Sequence, residues 1–253
     1  MIISLKSLPS LLRLLRWPTL LLVLFSGSPI PAKNADRHET VILLHGLARS
    51  PWTMGKIERA LRQDGYTVYN LGYPSRDQTI EALATRIARE VQEKAAGTTK
   101  VHFVAHSMGG IIVRQMLADK SIPNVGRVVM LSPPNQGSEV VDRLGHWRLF
   151  KWINGPAGCQ LGTGKDSVPC RLGAPPPGVE IGVITGDRSI NWILSCLIPG
   201  KDDGKVSVER AKLPGMKEFR VYHSCHPLIM RKQAVIEDVK AFLATGKFES
   251  IAN

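Results

Sequence analysis

The stretch Val101-His-Phe-Val-Ala-His-Ser107-Met-Gly-Gly110 joins a run of strand-forming residues to a glycine pair that opens a helical pattern, with one serine at the junction. A strand that turns sharply into a helix projects the side chain at the turn away from the sheet, and small flanking residues keep the backbones from colliding. This arrangement presents a nucleophilic serine. The stretch therefore predicts a strand-turn-helix unit and makes Ser107 the candidate nucleophile.

Short strand-like runs alternate with helical patterns on both sides of this unit. The predicted strands cover residues 40–44, 67–71, 101–105, 127–131, 180–185 and 219–223, and the predicted helices cover 54–64, 80–96, 109–118 and 228–243. Such alternation is typical of a parallel sheet covered by helices. The predicted fold class is therefore α/β, with a mostly parallel central sheet flanked by helices, in one domain over residues 36–253.

The alternation is interrupted between about residues 133 and 178, where glycine and proline are dense. These residues exclude long regular elements, although residues 140–153 could form one helix. We interpret the segment as a cap inserted into the domain. Its aromatic residues Trp147, Phe150 and Trp152 suit an acyl chain or a membrane surface, and packing of the helix onto the core would explain them equally well.

A serine hydroxyl is a poor nucleophile unless a base removes its proton, and the base needs an anion that fixes its tautomer. Asp203 lies in the polar turn Lys201-Asp-Asp-Gly-Lys205, and His226 lies between the last predicted strand and the last predicted helix. With Ser107 they follow the order serine, acid, histidine, each after a strand. We therefore predict Ser107, Asp203 and His226 as a catalytic triad.

The sequence leaves alternatives for the acid and the base. Asp187, in Thr185-Gly-Asp-Arg, also follows a predicted strand, and Asp202 could be either the acid or a solvated turn residue. His223 is the nearest rival of His226, but it closes the predicted strand and would lie lower on the sheet. Asp203 is the member of the triad that the sequence defines least firmly.

Attack on an ester carbonyl creates an oxyanion that preorganised N–H donors must stabilise. Met108 directly follows the serine, and Leu47 lies in the turn His45-Gly46-Leu47 after the first strand. Their backbone N–H groups are the predicted oxyanion hole. We also assign to the substrate-binding surface the residues His45, Gly46 and His106, together with the three aromatic residues of the cap. We interpret both histidines as packing or hydrogen-bonding groups.

Several of these motifs together resemble the secreted bacterial lipases and esterases of the α/β-hydrolase family: His45-Gly46-Leu47, Ala105-His-Ser-Met-Gly-Gly110, Asp203-Gly-Lys-Val-Ser and His226. Alanine replaces the first glycine of the G-x-S-x-G pattern, and it is small enough to be tolerated. The resemblance implies the α/β-hydrolase fold and hydrolysis of carboxylic esters of the acylglycerol type, through an acyl-enzyme and without an organic cofactor. No carboxylate cluster indicates a metal such as calcium.

Other functions are consistent with the same residues. The triad could serve a thioesterase, an amidase or an acyltransferase, and a catalytically inert domain that binds lipid or protein would keep the fold. The phosphate loops of cofactor-dependent transferases are not found in the sequence. We expect a small-molecule or lipid ester as the substrate, and the oligomeric state is open.

The first 35 residues differ in composition from the rest. Lys6, Arg13 and Arg16 precede an apolar run over residues 17–25 and a segment of small and turn-forming residues over 26–32. This is the order of a secretory signal. The run is shorter than the roughly 20 residues of a spanning helix, although residues 11–25 could form an uncleaved anchor. We expect export to the periplasm or the exterior, with residues 1–35 as signal peptide or N-terminal anchor.

The four cysteines lie in the second half of the chain, at Cys159, Cys170, Cys196 and Cys225. An even number in an exported chain favours two disulfides, although sequence alone allows three pairings, and four free thiols are the alternative. Pairing Cys159 with Cys170 would close a loop rich in glycine and proline. It would leave Cys196 for Cys225, and that bond would tie the acid loop to the residue beside His226.

The chain is basic, with 33 Lys and Arg against 21 Asp and Glu and a formal net charge of +12. Without Lys6, Arg13 and Arg16 the charge is still +9, which is 12 minus 3. The basic residues are dispersed, and neither a zinc-finger spacing nor an RNA-binding aromatic signature is present. The composition argues against nucleic-acid binding and favours a weak attraction to anionic lipid or cell-envelope surfaces.

Overall fold

Strands and helices alternate along residues 38–249, the part of the chain that the computed structural model describes; the predicted leader lies outside it. The strands are β1 Glu39–Leu44, β2 Thr67–Leu71, β3 Lys100–His106, β4 Val125–Leu131, β5 Glu180–Gly186 and β6 Glu218–Tyr222. The helices are α1 Gly55–Gln63, α2 Ile80–Lys94, α3 Met108–Ala118, α4 Glu139–Leu144, α5 Arg148–Cys159, α6 Val168–Arg171, α7 Trp192–Ser195, α8 Val208–Ala211 and α9 Gln233–Thr245. Within this range, no helix combines the length and the apolar character that crossing a bilayer requires.

The six strands form one parallel sheet in the order β2-β1-β3-β4-β5-β6. The chain moves outward from β1 to β2 and then returns to the other side of β1 with β3. In open parallel sheets, such a reversal leaves a crevice at the carboxyl ends of the strands, where ligands bind. Leu44 of β1 and Ala105 of β3 are register partners near those ends. Ser107 therefore follows β3 at the mouth of the crevice.

The sheet is buried on both faces, which explains why its strands read as continuous apolar runs. Ile42 and Leu44 of β1 belong to one core cluster, with residues of α2 and α3. Val41 and Leu43 belong to the opposite cluster, with residues of α1 and α9. All four side chains are fully buried, and burial of a side chain of this size contributes roughly 1.5–3 kcal/mol relative to exposure. The predicted α/β fold with a parallel sheet is confirmed.

Two predicted helices differ from the structure. Residues 140–153 form parts of α4 and α5 and not one helix, and α5 itself kinks at Gly155, which has φ 63° and ψ −172° and precedes Pro156. A Cβ on Gly155 would lie 1.7 Å from the carbonyl oxygen of Arg76, so the kink brings the two backbones together. The last helix begins at Gln233 and not at residue 228, because Ile229–Arg231 forms a separate 3-10 turn.

Arg114 of α3 joins residues 133–178, which we call the cap, to the sheet domain. Its guanidinium donates hydrogen bonds to the carbonyl oxygens of Asn135, Pro169 and Gly173, at 2.7, 2.9 and 2.7 Å. Burial lowers the pKa of Arg114 to about 10, so the group stays charged at neutral pH. One buried side chain thus supplies hydrogen-bond donors to three carbonyl groups of the cap.

Candidate active site

Ser107 occupies the turn between β3 and α3 in a backbone conformation that L-residues rarely adopt. Its φ is 55° and its ψ is −125°. Such a conformation costs of order 1–3 kcal/mol and persists only where the surroundings impose it. Here the Ser107 N–H donates to the carbonyl oxygen of Leu131 at 2.8 Å, and the Gly110 N–H donates to the Ser107 carbonyl oxygen at 2.9 Å. The turn presents the hydroxyl to the pocket described below.

Two glycines let α3 and the loop after β1 approach this turn closely. A Cβ on Gly109 would lie 2.8 Å from the carbonyl oxygens of both Leu44 and His45. A Cβ on Gly46 would lie 3.1 Å from the Cβ of Ser107. Only glycine allows backbones to come this near, so the sequence places glycine where the loop after β1 must reach the serine.

The side chains of Ser107, His226 and Asp203 form a hydrogen-bonded row. The Nε2 atom of His226 lies 3.0 Å from the Ser107 Oγ atom, and the Nδ1 atom lies 2.8 Å from the Asp203 Oδ2 atom. The carboxylate can only accept, so Nδ1 carries the proton and Nε2 is free to accept the serine proton. Ser107 is 9% exposed, and the other two side chains are more deeply buried.

The Asp203 carboxylate is fixed by its own loop. Its Oδ1 atom accepts hydrogen bonds from the backbone N–H groups of Lys205 and Val206, at 3.0 and 2.9 Å. Burial alone would raise the pKa of Asp203, but the charge and hydrogen bond of His226 and the Val206 N–H outweigh it. The pKa therefore lies below its ordinary value, and Asp203 is an anion at neutral pH.

The rival acids and the rival histidine lie elsewhere. Asp187 accepts from Nδ1 of the largely exposed His223 at 3.0 Å, at the surface. Asp202 accepts hydrogen bonds from the Ser195 hydroxyl and the Gly204 N–H, each at 2.7 Å. The structure therefore brings Asp203 to the imidazole of His226 and uses the two other aspartates for local contacts.

His106 holds the backbone of His226. Its Nε2–H donates to the His226 carbonyl oxygen at 3.0 Å, and the two ring centres are 4.8 Å apart. Burial, followed by the nearby charge of His226, holds the pKa of His106 well below its ordinary value. His106 is therefore a neutral donor, as the interpretation of it as a hydrogen-bonding residue expects.

His45 shapes the loop that carries Leu47. Its Nδ1–H donates to the Gly46 carbonyl oxygen at 2.9 Å, and its ring stacks on Tyr73 with the centres 4.1 Å apart. The Tyr73 hydroxyl donates to the His45 carbonyl oxygen. Sequence reasoning missed Tyr73, whose one signal is its position in Gly72-Tyr-Pro-Ser75 after a strand.

The two predicted oxyanion donors come from two different segments, the loop after β1 and the start of α3. Met108 is the first residue of α3, and an N–H at that position has no partner inside the helix. Leu47 lines the same pocket as Ser107. The next N–H, that of Ala48, donates to the Ser75 hydroxyl at 3.0 Å and thereby fixes the turn that follows Leu47.

A pocket of about 190 Å³ opens beside Ser107 and His226. Three of the predicted substrate-binding residues line it, namely Gly46, His106 and Phe150. His45 does not line the pocket. Trp147 and Trp152 do not line it either, and they are 56% and 80% exposed. The rest of the cap wall is mostly apolar, with Pro134, Val140, Val141, Ile153 and Leu161, and with Gly158 beside Leu47. Ser138 and Asn154 add polar side chains to this wall.

The predicted disulfides are absent and are corrected here. Within residues 38–249 the cysteines Cys159, Cys170, Cys196 and Cys225 are all free thiols. Cys225 is buried, whereas Cys196 is exposed. A backbone hydrogen bond joins the two loops instead, because the His226 N–H donates to the Asp203 carbonyl oxygen at 2.9 Å.

Within residues 38–249 no group of three or more His, Cys, Asp or Glu side chains is arranged to hold a metal ion.

Solved structures of several hydrolases share this architecture. The mature form of the lipase BlEst2 from Bacillus licheniformis matches with a TM-score of 0.62 and 20% identity, over 83% of this chain and 92% of that chain. A metagenomic carboxyl esterase matches with a TM-score of 0.62 and 16% identity, over 81% and 69%. An extracellular alpha/beta-hydrolase from a Paenibacillus species matches with a TM-score of 0.53 and 15% identity, over 83% and 99%. Identities this low establish the fold alone.

The sequence profile of the alpha/beta hydrolase family matches residues 41–201, more than half of the chain. The matched range contains the Gly46 loop and the Ser107 turn, whereas Asp203 and His226 follow its end. The parallel sheet and the serine turn after β3 agree with that match. The chain belongs to the alpha/beta hydrolase family.

Proposed function

We propose that this protein is a serine hydrolase that cleaves carboxylic esters through an acyl-enzyme on Ser107. The observation that carries the proposal is the row of hydrogen bonds from Ser107 Oγ to His226 Nε2, at 3.0 Å, and from His226 Nδ1 to Asp203 Oδ2, at 2.8 Å. Nucleophile, base and orienting acid are thereby within direct reach of one another, as acyl transfer requires.

In the proposed mechanism, Ser107 Oγ attacks the ester carbonyl carbon while His226 Nε2 takes the hydroxyl proton. The carbonyl oxygen becomes an oxyanion, which the N–H groups of Leu47 and Met108 stabilise. His226 then protonates the leaving alcohol oxygen as the C–O bond breaks, and the acyl group remains on the serine. Water, deprotonated by His226, attacks this acyl-enzyme and releases the acid, while Asp203 keeps the imidazole in the productive tautomer throughout.

We propose short acyl chains as the preferred substrates. The pocket of about 190 Å³ is smaller than the roughly 300–1,000 Å³ that is usual for drug-sized ligands. Its cap wall is mostly apolar, so a short hydrocarbon chain gains by leaving water there. Turnover of p-nitrophenyl esters should therefore fall from the butyrate to the palmitate.

We also propose that the chain is exported, with residues 1–35 as signal peptide or anchor and residues 133–178 as the cap. The order of basic, apolar and small residues at the N-terminus supports export, and one hydrolase of similar fold is described as extracellular. The mass of the protein recovered from the producing cell tests this proposal. Recovery of the full-length chain from the cytosol would contradict it.

The decisive experiment for the proposed function compares the unmodified protein with Ser107→Ala. We expect the unmodified protein to hydrolyse p-nitrophenyl hexanoate and to be labelled by a fluorophosphonate probe. Ser107→Ala should lose both properties while its circular dichroism spectrum and unfolding midpoint stay the same. Retained turnover in the folded variant would refute the assignment, and failure of the unmodified protein to be labelled would favour an inert binding domain. A parallel panel of thioesters, amides and alcohol acceptors tests the other acyl chemistries.

A further inference from the structure

The pocket beside Ser107 has two chemically different walls. The cap supplies the apolar wall, which includes Val140, Phe150 and Ile153. The loops of the sheet domain supply two cations, Arg49 and Lys205. Among the described residues that line the pocket, none is an aspartate or a glutamate. A substrate in this pocket therefore meets both apolar side chains and positive charge.

Arg49 and Lys205 stand on the two loops that flank the serine. The Arg49 N–H donates to the Gly46 carbonyl oxygen at 3.2 Å and closes the turn that carries Leu47. The Lys205 N–H donates to Asp203 Oδ1 at 3.0 Å, so its side chain leaves the acid loop next to the triad. Both backbones are thus anchored in the site while both side chains are exposed.

Neither cation forms an ion pair in the described part of the chain. The ion pairs formed among residues 38–249 include neither Arg49 nor Lys205. Partial loss of hydration and the nearby charge of Arg49 lower the pKa of Lys205, and the charge of Asp203 offsets only part of this effect. Two like charges held near each other repel, and an anion between them would relieve that repulsion.

We propose that this site selects esters that carry an anionic group, either a phosphate or a carboxylate, bound between Arg49 and Lys205. The inference rests on the proposed ester hydrolysis and adds the class of substrate. The acyl chain lies against Val140, Phe150 and Ile153, and the anion lies at the mouth of the pocket. Hydrogen bonds assisted by full charges on both partners are short and strong, and arginine engages carboxylate and phosphate oxygens in pairs.

The test uses two pairs of substrates with six-carbon acyl groups. One pair is 1-hexanoylglycerol 3-phosphate and neutral 1-hexanoylglycerol, in which the anion lies on the alcohol side. The other is the p-nitrophenyl monoester of adipate and p-nitrophenyl hexanoate, in which the anion lies on the acyl side. We expect a preference in kcat/KM of roughly ten- to a hundredfold for the anionic member of at least one pair, and the pair that gives it identifies the source of the anion.

The variants are Arg49→Gln, Lys205→Met and the double variant. The preference should fall at least about tenfold in the double variant, and it should weaken with added salt in the unmodified protein. Lys56→Met and Arg59→Gln are matched controls, because these residues line a separate groove beside β2 and not the serine pocket. Both controls should keep the preference of the unmodified protein.

The outcomes separate this inference from the function on which it rests. Hydrolysis of the neutral esters without a preference in either pair would overturn the inference and leave the ester hydrolase in place. A preference that survives in the double variant would overturn the roles of Arg49 and Lys205. Absence of any turnover, together with absence of fluorophosphonate labelling, would refute the proposed function itself.

Discussion

The carboxyl edge of the sheet and the cap meet at one pocket but are built differently. At the edge, Ser107, Asp203 and His226 are hydrogen-bonded to one another, on loops of a parallel sheet that is buried on both faces. The cap consists of short helices, one of them kinked, and leaves Trp147 and Trp152 exposed. In the proposed function, the regular sheet domain carries the chemistry, and we expect the irregular cap to select the acyl group.

The largest expected effect lies in the sheet domain. Asp203→Asn should lower kcat by about 10⁴-fold, because the amide no longer fixes the imidazole tautomer that accepts the serine proton. Asp187→Asn is the matched control, since Asp187 pairs with His223 at the surface, and its kcat should stay close to that of the unmodified protein. Kinetics with p-nitrophenyl hexanoate measure both variants. Equal losses of kcat in the two variants would contradict the assignment of Asp203 as the acid of the triad.

The second-largest effect is expected at Arg114, where the cap is attached to the sheet domain. Arg114→Met removes the donors to the carbonyl oxygens of Asn135, Pro169 and Gly173. Because a buried polar group without a partner costs about 1–3 kcal/mol, the free energy of unfolding should fall by about 3 kcal/mol or more. Urea denaturation measures the loss, and limited proteolysis should cut within residues 133–178 first. Arg86→Met, on the exposed surface of α2, is the control, and an equal loss there would contradict the role of Arg114.

The pH dependence of the free energy of unfolding should reveal the protonation of His106, which is buried at the carboxyl edge of the sheet. Since the pKa of His106 is lowered by folding, the unfolded chain binds the proton first as the pH falls below about 6.5. Stability is therefore complete above that pH and decreases below it, by up to about 1.4 kcal/mol per pH unit, until the pH reaches the folded-state pKa.

In His106→Gln this part of the decrease should disappear, while the amide N–H can still donate to the His226 carbonyl oxygen. The measurement is the free energy of unfolding in urea from neutral to acid pH, with kcat at neutral pH as the control for the position of His226. Identical pH profiles for the two proteins would mean that His106 does not contribute.

The smallest effects belong to the cap. Phe150→Ala should enlarge the pocket and move the preference for acyl chains toward longer ones, because a missing apolar contact changes discrimination by roughly 1–3 kcal/mol. Trp152→Ala, on the same helix but 80% exposed, should alter the free energy of unfolding by less than about 0.5 kcal/mol. A series of p-nitrophenyl esters measures the preference. A change of acyl-chain preference in Trp152→Ala but not in Phe150→Ala would contradict the assignment of Phe150 to the pocket wall.

The regular sheet domain could be predicted from the sequence because its signals are local. The strands that end at Leu44 and Leu131 are apolar runs bounded by turn residues, and each lies within two residues of its predicted bounds. The glycine pair after Ser107 likewise marks a close approach of backbones. In the cap, by contrast, the break at Gly155 depends on contact with Arg76, which is distant in sequence, and no local pattern reports that contact.

The sequence by itself determined the α/β alternation, the serine turn and the order of Ser107, Asp203 and His226, because periodicity and turn chemistry act over a few residues. Only the tertiary structure decided that Asp203 and not Asp187 or Asp202 meets the imidazole, since that choice depends on how the loop after β5 folds over the sheet. It likewise decided that a backbone hydrogen bond, and not a disulfide, joins the loops of Asp203 and His226. The positions of Arg49 and Lys205 beside the serine were also settled there, because loops from different strands meet only when the sheet is assembled.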